Sequence, residues 1–167
     1  SVTNSMMQID FIQKNYKKIK VKNKDLNNFK PIKRYDCALF IESFSHVIEQ
    51  EKLLKHLSLV TENILFIAHL DRSPNGFFQE DWLMTFESIP NLTKKLKNVG
   101  YKIQYIEDLG TDHIIPTYSY WLSRVKDINP KGGQLLTLKN LCETNLADPQ
   151  TAAKNSGLFI IYASKNL

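Results

Sequence analysis

The sequence predicts an α/β fold, a mostly parallel sheet connected by crossover helices, and three observations carry that reading. Short apolar runs at residues 37–41 (Cys-Ala-Leu-Phe-Ile) and 64–68 (Ile-Leu-Phe-Ile-Ala) are strand-like in length and composition. Between them Leu53, Leu54, Leu57 and Val60 recur on one helical face, which makes a strand-helix-strand unit. A further helix is marked at both ends: Ser88 stands at the N-cap, Pro90 in the first turn, and Gly100 where a left-handed residue stops it.

The remaining elements follow in chain order. Residues 1–3 read as the end of a strand, and Ser5 caps a helix carrying Met6, Ile9, Phe11 and Ile12 to about Tyr16. Alternation of apolar and lysine residues predicts an edge strand over 19–22, and the polar stretch 23–33 with Pro31 predicts a loop. The runs at 37–41 and 64–68 are continuous enough to predict strands buried on both faces. A strand over 101–106, an aromatic segment over 116–125, a helix over 135–144 and a last strand over 158–163 complete the order.

Composition narrows the class. The 167 residues are 43% hydrophobic and 23% charged, which predicts one domain spanning 1–167. The longest apolar runs are far shorter than the roughly 20 residues of a membrane span. The first eight residues form neither a signal-like nor an Arg-rich pattern, and cytoplasmic residence is the expectation. Cys37 and Cys142 have no metal-like or disulfide-like spacing, and no metal is expected. The net charge of +5 comes largely from Lys14, Lys17, Lys18, Lys20, Lys22 and Lys24. This block lacks the aromatic interleaving of a single-strand platform, and it reads as a solvated face with no nucleic-acid partner.

In an open parallel sheet, ligands bind beyond the carboxyl ends of the strands. Thr3, Asn4 and Gln8 follow the first predicted strand and Asp25 the second. Glu42, Ser43 and His46 follow the third, and His69 and Asp71 the fourth.

Residues 35–47 (Tyr-Asp-Cys-Ala-Leu-Phe-Ile-Glu-Ser-Phe-Ser-His-Val) resemble the pattern fD-x-x-x-s-x-E-s-x-x-H-h. Residues 1–8 are similar to G-h-T-x-S-x-x-Q, with serine in place of glycine, and residues 157–165 resemble a last antiparallel strand. These belong to the class I S-adenosylmethionine-dependent methyltransferases, in the branch of cyclopropane synthases and of sterol, tocopherol and natural-product methyltransferases. The resemblance covers nearly the whole chain. It implies a Rossmann-like sheet, mostly parallel with an antiparallel last strand, and transfer of a methyl group from S-adenosylmethionine to a small, partly apolar metabolite through an oxygen, nitrogen or carbon. S-adenosylhomocysteine is the implied product.

Residue by residue, the resemblance assigns Thr3, Asn4 and Gln8 to the ribose and methionine side of the cofactor. It assigns Asp25 and Leu26 to the adenine, and Ile41 and Glu42 to its flank. His46 and His69 become candidate general bases, since histidine has its ordinary pKa nearest neutrality; a hydrogen-bonded structural histidine is the alternative at both. Trp82, His113, Tyr118 and Trp121 become candidate walls of the acceptor site, with core packing as the alternative for Tyr118 and Trp121.

One departure matters. The family's first strand and its glycine-rich turn have no counterpart, and Gly132-Gly133 lies far downstream without a strand before it. The expectation is a sheet lacking its first strand, from a fragment, from a chain completed by a second copy or a complementing segment, or from a degenerate methyltransferase acting as a non-catalytic partner. A base-modifying methyltransferase is not expected, because no Asn/Asp-Pro-Pro-Tyr/Phe tetrapeptide occurs and Glu42-Ser43-Phe44-Ser45 stands in its place.

Overall fold

The computed structural model describes residues 1–80, 84–110, 112–125 and 133–165. The Ser5 hydroxyl accepts from the Gln8 amide and starts helix α1 (Met6–Asn15), which connects strand β1 (Val2–Thr3) to its parallel partner β2 (Lys22–Asn23). The strand expected over 19–22 therefore begins only at Lys22. Ile19 instead donates its amide to the Tyr16 carbonyl in the turn that ends the helix.

Strands β3 (Ala38–Ile41) and β4 (Asn63–Asp71) are joined by helix α2 (Gln50–Ser58) and pair in parallel, with Ile41 opposite Ile67. After β4 come a hairpin of β5 (Phe77–Gln79) and β6 (Met84–Phe86), helix α3 (Ile89–Asn98) and strand β7 (Tyr101–Asp108). Helices α4 (Ile114–Val125), α5 (Gly133–Ala147) and α6 (Pro149–Asn155) lead to the last strand, β8 (Ser156–Lys165). The order in the four-stranded sheet is β3-β4-β8-β7, and β8 runs antiparallel to both of its neighbours. This is the mostly parallel sheet with an antiparallel last strand that the sequence predicts. The predicted stops of α3 are present too: Ser88 accepts from the Asn91 amide, and Gly100 adopts φ +89°.

The apolar strands alternate where burial on both faces was expected. In β4, Ile64, Phe66, Ala68 and Leu70 are buried while Leu65, Ile67 and His69 are half-buried. In β3, Phe40 is buried but Leu39 and Ile41 remain 55% and 56% exposed. The physical reason is that α2 and α3 cover one face only. Leu53, Leu54, Leu57, Leu92 and Leu96 meet Phe40, Phe66, Phe159 and Ile161 there in one core. Among the described residues β3 pairs only with β4 and β1 only with β2, so β1-β2 and β3-β4-β8-β7 stand as separate sheets. A second, smaller core forms among α4, α5 and α6 around Ile114, Tyr118 and Cys142.

A polar network lies beneath α3. Lys95 Nζ donates to Glu87 Oε1 at 2.6 Å and to Gln50 Oε1 at 2.8 Å, and the Glu87 side chain is only 7% exposed. Removing one partner of a buried pair leaves the other charge without compensation. Lys95→Met is expected to lower stability by about 3 kcal/mol in denaturant titration, and the additional change Glu87→Met to restore much of that loss.

Candidate active site

The site is built at the carboxyl ends of β3 and β4. Glu42 directly follows β3 and keeps the ladder going by donating its amide to the Ile67 carbonyl at 2.8 Å. Its φ is +51°, a left-handed conformation that non-glycine residues adopt rarely and that here turns the chain out of the strand. His69 lies two residues beyond Ile67 on β4 and therefore on the same face. The carboxylate of Glu42 meets His69 Nδ1 at 2.9 and 3.1 Å. On the other side of the ring, His69 Nε2 lies 3.2 Å from Nε2 of His113, which stands just before α4.

Proton arithmetic orders this chain of three groups. An ionised carboxylate only accepts, so His69 donates through Nδ1, and in neutral His69 that leaves Nε2 as a lone pair. His113 then supplies the proton shared between the two Nε2 atoms. The arrangement has the logic of a carboxylate-oriented histidine base, with the tautomer set by the carboxylate. His69 is contacted through different nitrogens on its two sides, so the three side chains do not converge on one point, and no group of metal-ligating side chains is found among the described residues.

His113 is 8% exposed, and burial, then the neighbouring His69, hold its pKa below the ordinary 6.5; the Gly110 carbonyl, Glu42 and Asp108 pull less strongly the other way. Folding therefore disfavours its protonated form. The stabilisation is fully present above the unfolded-state pKa near 6.5 and is lost as pH falls below that value and through the lower folded-state pKa. Melting temperature is expected to drop over that acid range, and His113→Gln to flatten this part of the profile.

The other predicted residues fall in three places. Thr3 Oγ1 donates to Gln8 Oε1 at 2.6 Å and accepts from the Ser5 amide, while Asn4 is exposed between them. Asp25 Oδ1 caps a turn over Leu26–Asn28 by accepting from the Asn27 amide and side chain. Asn27 Oδ1 in turn accepts from the amides of Ile48 and Glu49 at 2.7 and 3.2 Å. This bridge draws Asp25 and Leu26, beyond β2, to the segment that follows β3.

His46 ends a single turn over Phe44–His46, is exposed, and makes no hydrogen bond with the cluster. Tyr118 is 8% exposed inside the helical core, edge-on to Trp121 with ring centroids 5.4 Å apart. Burial pushes its phenol pKa up. Trp82 lies outside the described residues. The contacts of His69 with Glu42 and His113 were not legible in the sequence, since the residues stand 27 and 44 positions apart. The positions of Glu42 and His69 at adjacent strand ends were the available signal.

No family model and no curated protein matches the chain. Solved structures do. The O-methyltransferase of a trans-AT polyketide synthase multienzyme of Brevibacillus brevis, in complex with S-adenosylhomocysteine, superimposes with a TM-score of 0.72 over 98% of this chain at 17% identity. The chain has the class I methyltransferase fold. Coclaurine N-methyltransferase, bound to N-methylheliamine and S-adenosylhomocysteine, gives a TM-score of 0.69 over 98% of the chain at 17% identity. A cyclopropane synthase of Mycobacterium tuberculosis gives 0.68 over 98% at 12% identity. The chain spans 57%, 59% and 68% of the lengths of these three proteins. The fold resemblance thus extends over O- and N-methyltransferases and a cyclopropane synthase. Among the described residues, no helix is long and apolar enough to cross a membrane.

Proposed function

We propose that this chain is part of an S-adenosylmethionine-dependent methyltransferase acting on a small, partly apolar metabolite. The observation that carries the reading is the Glu42–His69–His113 chain at adjacent strand ends of a class I methyltransferase fold. The strand-end groups suit an adenosyl sulfonium. Asp25 uses only Oδ1 in its turn and keeps Oδ2 as an acceptor, Gln8 keeps its amide donors, and Leu26 packs against the core as an apolar wall. Thr3, Asn4, Gln8, Asp25, Leu26, Ile41 and Glu42 would hold the cofactor, which supplies an electrophilic methyl group.

The chain's own residues supply position and proton removal. Glu42 holds His69 in the tautomer with a lone pair on Nε2 and stabilises the imidazolium that forms when that atom takes a proton from an oxygen or nitrogen acceptor. His113 yields its hydrogen bond to that proton. The exposed side chain of Ile41, next to Glu42 in the sequence, offers an apolar surface at this strand end. His46 remains a second candidate base on the exposed turn after β3. Incubation with methyl-labelled S-adenosylmethionine and a panel of phenolic, amine and unsaturated acceptors tests the reading. Label transfer that depends on His69 supports it, and absence of transfer to all three classes by a cofactor-binding protein contradicts it.

A second reading, a non-catalytic or incomplete partner, is favoured by one observation: among the described residues β1 and β3 each keep an open edge, so β1-β2 and β3-β4-β8-β7 stand as separate sheets. A second copy or a complementing segment that pairs with those edges would unite them. A dimer or complex that binds S-adenosylhomocysteine more tightly than the isolated chain supports that completion. A non-catalytic role predicts assembly without cofactor binding.

A further inference from the structure

The residues around the turn from β7 to α4 form a clamp that the base chemistry does not itself use. Arg72, immediately after β4, donates through both terminal nitrogens to the carboxylate of Asp108, the last residue of β7, with Nη2 2.7 Å from Oδ1. That same Oδ1 accepts the Gly110 amide at 2.8 Å. Arg72 is held in turn: its amide donates to the Asn155 carbonyl, and its guanidinium lies 5.1 Å above the Phe159 ring. The neighbouring turn is tied to β8 by the Leu109 amide, which donates to the Leu158 carbonyl at 3.0 Å. Hydrogen bonding to Arg72 holds the Asp108 carboxyl below its usual pKa, so the pair stays charged. Gly110, thus fixed, precedes His113 by three residues, and the His113 carbonyl accepts the Thr117 amide in the first turn of α4.

We propose that Arg72 and Asp108 are positioning residues that set the β7–α4 turn so that His113 Nε2 reaches His69 Nε2. The catalytic side of this inference rests on the methyl-transfer reading above, whereas its geometric side does not. A bidentate pair defines orientation as well as distance, which a single hydrogen bond to a mobile lysine would not. Gly157 in β8 completes the device. A Cβ at that position would lie 2.6 Å from Arg72 Nη2 and 3.2 Å from Asp108 Oδ1, so glycine leaves the space the clamp occupies. The same Cβ would lie 3.1 Å from the Phe159 ring, which is packed in the core, so relief in Gly157→Ala falls on the Arg72 and Asp108 tips and the clamp is displaced while both charges are retained.

The test is a ring-proton Overhauser contact between His69 and His113, whose centroids are 5.1 Å apart, measured together with kcat and KM. The contact is expected in the parent protein, lost in Gly157→Ala and Asp108→Ala, and weakened in Asp108→Asn, whose amide oxygen still accepts from Gly110 but whose NH2 cannot accept from Arg72. In the two disruptive variants kcat is expected to fall about 10- to 100-fold, with the KM for S-adenosylmethionine within about twofold of the parent. Contact and kcat unchanged in Gly157→Ala and Asp108→Ala, with unchanged melting temperatures, would overturn the proposal. Loss of the contact in the two variants of a protein that transfers no methyl group would support the clamp and remove the methyl-transfer reading instead.

Discussion

His69→Ala is expected to lower kcat for the proposed methyl transfer to an oxygen or nitrogen acceptor by about 10²- to 10⁴-fold, the range of a positioned general base. The size of the effect follows from the geometry. Both ring nitrogens of His69 are engaged, one on the Glu42 carboxylate at 2.9 Å and one on His113 at 3.2 Å. Removing it takes away the proposed proton acceptor and the bridge at once. Affinity for S-adenosylhomocysteine should change by less than about twofold, since the proposed cofactor groups lie on other residues. Glu42→Gln, by contrast, should weaken both kcat and cofactor affinity, because Glu42 faces the histidine and also flanks the proposed cofactor position. Steady-state kinetics paired with equilibrium binding separates the two patterns, and an unchanged kcat in His69→Ala would remove the base role.

The largest effect on stability is expected at Phe66. Its ring is fully buried, stacks on Phe40 at 5.3 Å and meets Phe44 edge-on at 5.1 Å. It sits in the middle of β4, where β3 and β8 pair on either side and α2 and α3 close the core. Phe66→Ala removes the ring and leaves a cavity that three paired strands cannot close, at a cost of about 3–5 kcal/mol. A domain of this size has roughly 5–15 kcal/mol in total, so the variant should sit near its folding threshold. Leu65→Ala, one residue away on the half-buried face, should cost much less. The comparison is read from denaturant midpoints, and equal losses at the two positions would contradict the one-sided core.

Much of the fold was legible because its signals are local. Ser5 and Ser88 mark helix starts through their own side chains, Gly100 marks a stop through its φ, and the runs at 37–41 and 64–68 have the composition of strands. What was not legible depends on partners distant in sequence. Leu39 and Ile41 look as apolar as Phe40, yet only Phe40 meets α2 and α3; the alternation emerges from packing on one face of the sheet. The strand expected over 19–22 was displaced because the turn after Tyr16 captured the Ile19 amide.

At the site, the strand-end rule located Glu42 and His69 but not their bond, since adjacency of β3 and β4 is a tertiary fact. His113 was read as part of an acceptor wall next to Tyr118 and Trp121. The structure places its ring against His69, a contact the sequence did not show, while Arg72 and Asp108, which carried no sequence signal, pair beside the Gly110 amide. The two aromatic residues themselves pack in the helical core, Tyr118 buried and Trp121 partly buried.

The central claim is that these strand ends hold an adenosyl cofactor, and a thermal-unfolding scan with and without S-adenosylhomocysteine tests it most directly. A ligand that binds only the folded state at a hundredfold excess over Kd stabilises it by about 2.7 kcal/mol. The account predicts a clear upward shift in melting temperature that is lost when Asp25 and Gln8 are both replaced by alanine. A cooperative transition that does not move with the ligand, in this chain and in a chain whose sheet has been completed, would contradict it.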